Sequence, residues 1–138
     1  MAIIQGHIVN RKGRIEVAIE RDKIHRKRMK ATSPDKGRMA VSLFEVVEYL
    51  ESATLVKVRI LTGRTHQIRV HMAFTGHPLL GDTTYGGKKW QKRTRHFLHS
   101  GRLAFNHPIT GARIDLQAPL PEYFVSAINE LRSKAATT

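Results

Sequence analysis

The 138-residue sequence predicts a single α+β domain, built from a mainly antiparallel mixed sheet and two principal helices. Three observations predict this class of fold. Two β-prone runs are joined by a short turn, a helical pattern follows them, and an amphipathic pattern lies near the C terminus. The length suits one domain, because a chain of this size buries roughly 68% of the surface that its unfolded form exposes.

The predicted sheet begins with a short β-prone run at residues 14–19 and continues with two longer runs at residues 39–50 and 54–61. A Glu-Ser-Ala turn separates the two longer runs, so they predict a β-hairpin. In the second run, apolar side chains alternate with a set that includes Lys57 and Arg59. This alternation predicts a strand with one buried face.

The first predicted helix covers residues 65–75, which contain no helix breaker. Gly76 supplies a C′ glycine and Pro78 cannot continue a helix, so the helix should end there. At 100° per residue, Arg69 lies on a narrow face and apolar side chains cover most of the rest. We expect a mostly buried helix that directs Arg69 at one particular place.

A second helix is predicted from Pro121, because proline suits a first helical turn and Glu122 complements the helix dipole. Its apolar residues recur at helical spacing and should pack on the sheet. They are Phe124, Ala127, Ile128 and Leu131.

The charge of the chain favours binding to a polyanion. Twenty-four Lys and Arg residues against eleven Asp and Glu give a net charge of +13 and a pI near 10.8, above the value of about 9 that is typical of nucleic-acid binding. The basic residues cluster at residues 23–30, at Arg64 and Arg69, and at residues 88–95. Predicted phosphate contacts are Arg26, Lys27, Arg28, Lys30, Lys88, Lys89, Arg93 and Arg95.

Two of these assignments have structural alternatives. Residues 23–30 could instead form an edge strand that charge protects from further pairing. Trp90, inside the last basic segment, could stack on a base, although a lone tryptophan more often packs against the core.

Several classes of protein are disfavoured by the sequence. There is no cysteine, hence no disulfide and no thiolate metal site. The N terminus lacks the pattern of a signal peptide, and no apolar stretch approaches the roughly 18 residues that span a bilayer. The sequence therefore predicts a soluble, cytoplasmic protein with no membrane partner.

Candidates for acid-base or nucleophilic chemistry are few. Asp22, Asp35 and Asp115 lie in charged or turn-rich settings and are predicted to be solvated. Asp82 is the one contender as a nucleophile. It follows Gly81 and precedes a turn, so the preferred interpretation is a carboxylate that caps the turn through backbone N–H groups.

A metal site is not predicted. His66 and His71 are five residues apart and point away from each other on a helix, and no carboxylate lies close in sequence to His96 and His99. No glycine-rich phosphate loop of a standard type is present either, so the sequence predicts neither a metal nor a nucleotide cofactor.

The run Thr-Gly-Arg-Thr-His-Gln-Ile-Arg-Val-His at residues 62–71 carries a specific resemblance. With Gly-His-Pro at 76–78, Gly-Asp at 81–82 and Tyr-Gly at 85–86, it closely resembles the signature of RluA-type pseudouridine synthases. The similarity extends across nearly the whole chain. It implies the catalytic-domain fold of that family, RNA as the partner, and no cofactor or metal.

The resemblance also implies roles for individual residues. Arg69 corresponds to the family's motif arginine, which pairs with the catalytic aspartate. Gly63, Arg64, His66 and Ile68 would form the pocket wall around a flipped uridine of ribosomal or transfer RNA. In the family, the aspartate attacks the nucleoside, and the detached base rotates and reattaches through carbon.

The chain departs from the family at the catalytic residue. The family's aspartate lies in an upstream His-Arg-Leu-Asp segment followed by a tyrosine, and neither occurs here. We therefore expect residues 1–138 to be the C-terminal portion of a catalytic domain, without the aspartate half and the N-terminal RNA-binding module, and inactive alone. The alternatives are a non-catalytic RNA-binding module and one half of a split enzyme. Exposed sheet edges would favour self-association.

Overall fold

The computed structural model of the chain describes residues 1–91 and 95–137, without the side chains of Leu103 and residues 133–137. The predicted phosphate contact Arg93 lies outside the described residues. The elements in chain order are β1 (Ala2–Gln5), β2 (Lys12–Glu16), β3 (Ala18–Arg21), β4 (Met29–Thr32), β5 (Val41–Leu50), β6 (Ala53–Ile60), α1 (Gln67–Phe74), a 3₁₀ turn (Thr83–Tyr85), β7 (Arg102–Asn106), β8 (Arg113–Gln117) and α2 (Glu122–Thr137).

The main sheet has four strands in the order β1-β6-β5-β2, and the pairs β3-β4 and β7-β8 form two smaller sheets. Every pair of neighbouring strands is antiparallel. The predicted hairpin is formed by β5 and β6, with a bulge between Val46 and Glu48. The α+β class predicted from the sequence is confirmed.

The β-prone run at residues 14–19 is divided between two sheets. β2 pairs with β5, whereas β3 pairs with β4. The chain changes sheets at Val17, whose N–H donates to the carbonyl of Ala40 at 3.2 Å. Most of residues 23–30 form the loop between β3 and β4, so the edge-strand interpretation applies only to Met29 and Lys30.

Helix α2 packs as predicted. Its buried stripe contacts Ile3, Leu50 and Phe97, among others, and completes one core cluster. The stripe consists of Phe124, Ala127, Ile128 and Leu131. Within the described residues, no helix is both long and apolar enough to cross a membrane.

Helix α1 differs from its prediction in length. It begins at Gln67, two residues later than predicted, because His66 has a left-handed backbone with φ 55° and lies outside the helix. Phe74, the last residue of the helix, is 59% exposed. Met72 is fully buried in a core cluster with Ile4, among others. Of the eight residues of α1, four are buried, three are partly buried and one is exposed, so the helix is mostly buried, as predicted.

Candidate active site

The centre of the site is an ion pair between α1 and the loop that follows it. Arg69 donates from Nε to one carboxylate oxygen of Asp82 at 2.9 Å and from Nη2 to the other at 3.0 Å. The side chains are 15% and 1% exposed, respectively. A charge at this depth needs a partner, and the two-point geometry is the strongest that arginine makes with a carboxylate. The bonds to Asp82 raise the pKa of Arg69 above its usual range.

This pairing corrects the predicted role of Asp82. The carboxylate makes no capping bond to the 3₁₀ turn. Instead the backbone carbonyl of Asp82 accepts N–H bonds from Tyr85 at 3.2 Å and Gly87 at 2.7 Å. The turn prediction was right about the backbone and wrong about the side chain, because a buried guanidinium competes successfully for the carboxylate.

The same geometry limits what Asp82 can do. Both of its oxygens are bonded to Arg69 and its side chain is almost fully buried, so it is poorly placed to attack a nucleoside. Arg69 has N–H groups left over. Its Nη1 makes no hydrogen bond to any residue that the structure describes, which leaves that edge available for a further anionic partner.

Tyr85 closes the site on another side. Its ring lies 5.0 Å from the guanidinium carbon of Arg69, which is a cation–π distance. Its hydroxyl accepts the backbone N–H of Met29 at 2.8 Å and lies 2.7 Å from Nδ1 of His66. Tyr85 therefore joins α1, β4 and the 3₁₀ turn around Arg69.

Two histidines share this environment. Burial and the nearby charge of Arg69 lower the pKa of His66, although Asp82 opposes the shift. The pKa of His96 is lowered by the same two causes. Both imidazoles are thereby biased toward the neutral form near neutral pH.

Gln67 fixes the turn that leads into α1. Its Oε1 accepts bonds from the Thr62 hydroxyl at 2.7 Å and the Arg64 N–H at 3.0 Å. Its Nε2 donates to the Val41 carbonyl at 2.9 Å and the Ser42 hydroxyl at 3.0 Å. One buried amide thus holds the Thr-Gly-Arg turn against the start of β5.

His71 is used structurally. It is fully buried, with Nε2 3.0 Å from the Val17 carbonyl and Nδ1 2.8 Å from the Ser42 hydroxyl. Because a carbonyl can only accept, Nε2 carries the proton and Nδ1 accepts from Ser42. Burial lowers the pKa of His71. In the part of the chain that the structure describes, no group of three or more potential ligands is placed to hold a metal.

The structure brings only some of the predicted pocket residues to Arg69. His66 lies beside Arg69, and Tyr85 links the two residues. Arg64 instead donates from Nε to the Met39 carbonyl at 3.0 Å, and Ile68 packs against the core cluster that contains Met72. Gly63 is exposed at the turn. Three residues were not assigned to the site from the sequence: Asp82 as the partner of Arg69, Tyr85 and His96.

The basic loop between β3 and β4 contains a second correction. Asp22, predicted to be solvated, is 6% exposed. It accepts bonds from the N–H groups of His25 and Ile24 and from Nε of Arg28. The His25 and Ile24 backbone bonds, with Arg28, lower the pKa of Asp22 to about 2. Asp35 and Asp115, the other two aspartates that were predicted to be solvated, are both exposed.

Not every cation of the basic segments is equally accessible. Arg28 also donates to the Thr84 carbonyl at 3.3 Å, so it ties the loop to the 3₁₀ turn. Lys30 pairs with Glu20 at 3.3 Å. The exposed cations of the described basic segments are Lys23, Arg26, Lys27, Lys30, Lys88, Lys89 and Arg95.

The aromatic residues near the last basic segment pack within the fold. Trp90 lies edge-on to Phe97, with ring centroids 6.3 Å apart, and packs against a core cluster. Arg95 lies over the ring of Tyr123 at 4.3 Å. This placement matches the packing interpretation of Trp90.

Fold and site define a class of protein. The family model described as RNA pseudouridylate synthase matches residues 1–74, and the chain belongs to this family. The resemblance noted in the sequence is thereby confirmed.

The names of individual relatives agree with this family. The chain is 44% identical over 131 residues to the uncharacterized RNA pseudouridine synthase YlyB of Bacillus subtilis, covering 95% of this chain and 43% of that protein. It is 36% identical over 129 residues to ribosomal large subunit pseudouridine synthase D of Zymomonas mobilis, covering 88% and 40%. The chain spans about two fifths of the length of these relatives.

A solved structure supports the fold. Human RNA pseudouridylate synthase domain containing 1 superposes with a TM-score of 0.74 at 26% identity, covering 96% of this chain and 64% of that one.

Proposed function

We propose that this chain forms part of the active site of an RNA pseudouridine synthase, which isomerises uridine to pseudouridine. The observation that carries the proposal is the geometry of Arg69. Asp82 holds one edge of the guanidinium, and the Nη1 edge has no partner among the described residues. A second carboxylate at that edge would be the nucleophile.

The carboxylate would come from outside residues 1–138, either from a further segment of a longer enzyme or from another chain. Pairing with Arg69 would lower the pKa of that carboxylate, so that it stays ionised near neutral pH. In the isomerisation, the bond from C1′ to N1 of uracil breaks and a bond from C1′ to C5 forms. The proton lost from C5 is balanced by one gained at N1, so neither metal nor redox cofactor is required.

The pocket wall would be formed by Gly63, Arg64, His66 and Ile68, and the substrate would be ribosomal or transfer RNA. The net charge of +13 supports a polyanionic partner. We propose that the basic segments contact the phosphate backbone of the RNA. We also propose that the protein is cytoplasmic. The contacts are Arg26, Lys27, Arg28, Lys30, Lys88, Lys89, Arg93 and Arg95. Arg28 would contribute least, because Asp22 and Thr84 already bind it.

The direct test is conversion of uridine to pseudouridine in total RNA, read by carbodiimide labelling and primer extension. The chain would be assayed alone and with an added fragment that carries the missing aspartate half. We expect no conversion alone and conversion with the fragment. Conversion by the chain alone would overturn the requirement for an outside carboxylate. No conversion in either case, with RNA still bound, would favour a non-catalytic RNA-binding module.

Two substitutions separate chemistry from binding in the complemented enzyme. Arg69→Ala should abolish conversion and largely retain RNA affinity. Arg26→Ala should retain conversion at saturating RNA but weaken binding and reduce the slope of log K against log salt by about 0.7 to 0.9, the value for one phosphate contact. Arg113→Ala, an exposed cation on β8, is the matched charge control. Equal loss of RNA affinity from Arg69→Ala and Arg26→Ala would contradict this division of roles.

A further inference from the structure

The hydrogen bonds of the Tyr85 hydroxyl favour one protonation state of its neighbour, His66. The oxygen accepts the backbone N–H of Met29 at 2.8 Å. The hydroxyl has one proton to donate, and among the described residues the single acceptor bonded to it is Nδ1 of His66, at 2.7 Å. The arrangement that gives the hydroxyl proton an acceptor among the described residues is therefore O–H of Tyr85 donating to Nδ1 of His66.

This arrangement implies one tautomer of His66. A neutral imidazole whose Nδ1 accepts a bond must carry its proton on Nε2. With Nδ1 protonated, the Tyr85 oxygen would accept from both Met29 and His66, and its own proton would have no acceptor among the described residues. Burial, Arg69, His96 and Arg21 lower the pKa of His66 and Asp82 raises it, and the net shift is downward, in agreement with a neutral ring.

The position of His66 also singles it out. It is one of three residues other than glycine with a positive φ in the described chain, and it lies directly before the helix that carries Arg69. The left-handed conformation is uncommon outside glycine, although histidine adopts it more often than most residues, and it recurs at functional sites. Nε2 makes no hydrogen bond to any described residue, and the side chain is partly exposed.

From these observations we infer that His66 is a hydrogen-bond donor, through Nε2–H, to an oxygen of the nucleotide in the pocket. Tyr85 is the positioning residue that sets the tautomer. The inference rests on the proposed function, because it needs a nucleotide beside Arg69. It adds a donor of fixed polarity to the pocket, and it connects that donor through Tyr85 to the first residue of β4, next to the basic loop.

The tautomer can be measured on the chain as it exists. With ¹⁵N-labelled histidine, long-range ¹H–¹⁵N correlation spectra distinguish a protonated Nε2 from a protonated Nδ1. We expect His66 to show a single neutral form with the proton on Nε2, and Tyr85→Phe to give a mixture of tautomers. Tyr49→Phe is the matched control, since Tyr49 is also partly buried and donates one bond, to the Ile8 carbonyl at 2.8 Å. It should leave His66 unchanged.

The donor role is tested by adding a short uridine-containing RNA. The Nε2–H resonance of His66 should shift on saturation, and Tyr85→Phe should weaken binding of this RNA about fivefold, the effect of one hydrogen bond. Tyr49→Phe should not change the affinity.

Three results would overturn the inference: a protonated Nδ1 in the unmodified chain, a tautomer that Tyr85→Phe does not change, or an Nε2–H resonance that saturating RNA does not move. Each can be told apart from failure of the proposed function. If the complemented enzyme forms pseudouridine while the Nε2–H resonance stays fixed, the function stands and the inference fails. If His66 responds as expected while no pseudouridine forms, the inference stands and the proposed catalysis fails.

Discussion

At the scale of single residues, the pair of Arg69 and Asp82 determines how the site is built. Asp82 is buried more deeply than Arg69, so the carboxylate acts as a fixed support and the guanidinium faces outward. Gly81, directly before Asp82, has φ 81°, and a Cβ there would lie 1.9 Å from the Arg95 carbonyl oxygen. Glycine at 81 allows the close approach that holds Asp82 beneath Arg69.

Removing the charge of Asp82 should destabilise the fold. Asp82→Asn leaves the buried guanidinium without a compensating charge, and we expect the free energy of unfolding to fall by about 3 kcal/mol. Urea unfolding followed by circular dichroism measures this. Asp115→Asn breaks the exposed pair with Arg102 and should have little effect, because water and salt screen exposed charges. Equal effects of the two substitutions would contradict the buried pairing.

At the scale of elements, α1 is held to the sheet by polar as well as apolar contacts. Gln67 and His71 lie four residues apart, hence on one side of the helix, and both bond to Ser42 on β5. His71 also reaches Val17, where the chain changes sheets. The buried polar chain orients α1, and with it Arg69.

This arrangement predicts a dependence of stability on pH. Burial lowers the pKa of His71 in the folded state, so below the unfolded value of about 6.5 the unfolded chain binds more protons. Stability should therefore fall as the pH drops through about 6.5. Urea unfolding at about pH 5 and about pH 8 measures the difference in unfolding free energy.

The substitution His71→Gln should reduce that difference. It should not abolish it, because the pKa values of His66 and His96 are lowered as well. His25→Gln changes an exposed ring on the basic loop and is the control. A pH dependence that is the same in His71→Gln and the unmodified chain would show that His71 is not its source.

At the scale of the whole molecule, two features leave pairing surface open. β2 ends the main sheet without a further strand among the described residues. The β7-β8 hairpin places Phe105 opposite Ile114, with Phe105 38% and Leu116 56% exposed. Open edges and clustered exposed apolar side chains favour association.

We therefore predict that the chain self-associates, with a mass by light scattering that increases with concentration. Leu116→Lys should shift the equilibrium toward monomer, because it places a charge on the apolar hairpin. Val9→Lys, at an isolated position that is 89% exposed, is the control. A monodisperse monomer at every concentration would contradict the prediction.

The α+β class, the β5-β6 hairpin and the buried stripe of α2 were all predictable from the sequence alone. These follow from periodic patterns and turn residues, which act over a few positions. The motif around Arg69 likewise determined the family. An arginine on a mostly buried helix needs an anionic partner in any fold, because an unpaired buried charge is costly, and Asp82 is that partner here.

The groups that pair with these buried side chains could not be predicted from the sequence, because they come together through tertiary contacts. The partner of Arg69 is thirteen residues away across a loop, and Tyr85 meets Met29 across fifty-six. The burial of Asp22 and the left-handed backbone of His66 also depend on the tertiary structure. Such contacts depend on how separate elements approach in space, which local patterns of hydrophobicity and charge do not specify.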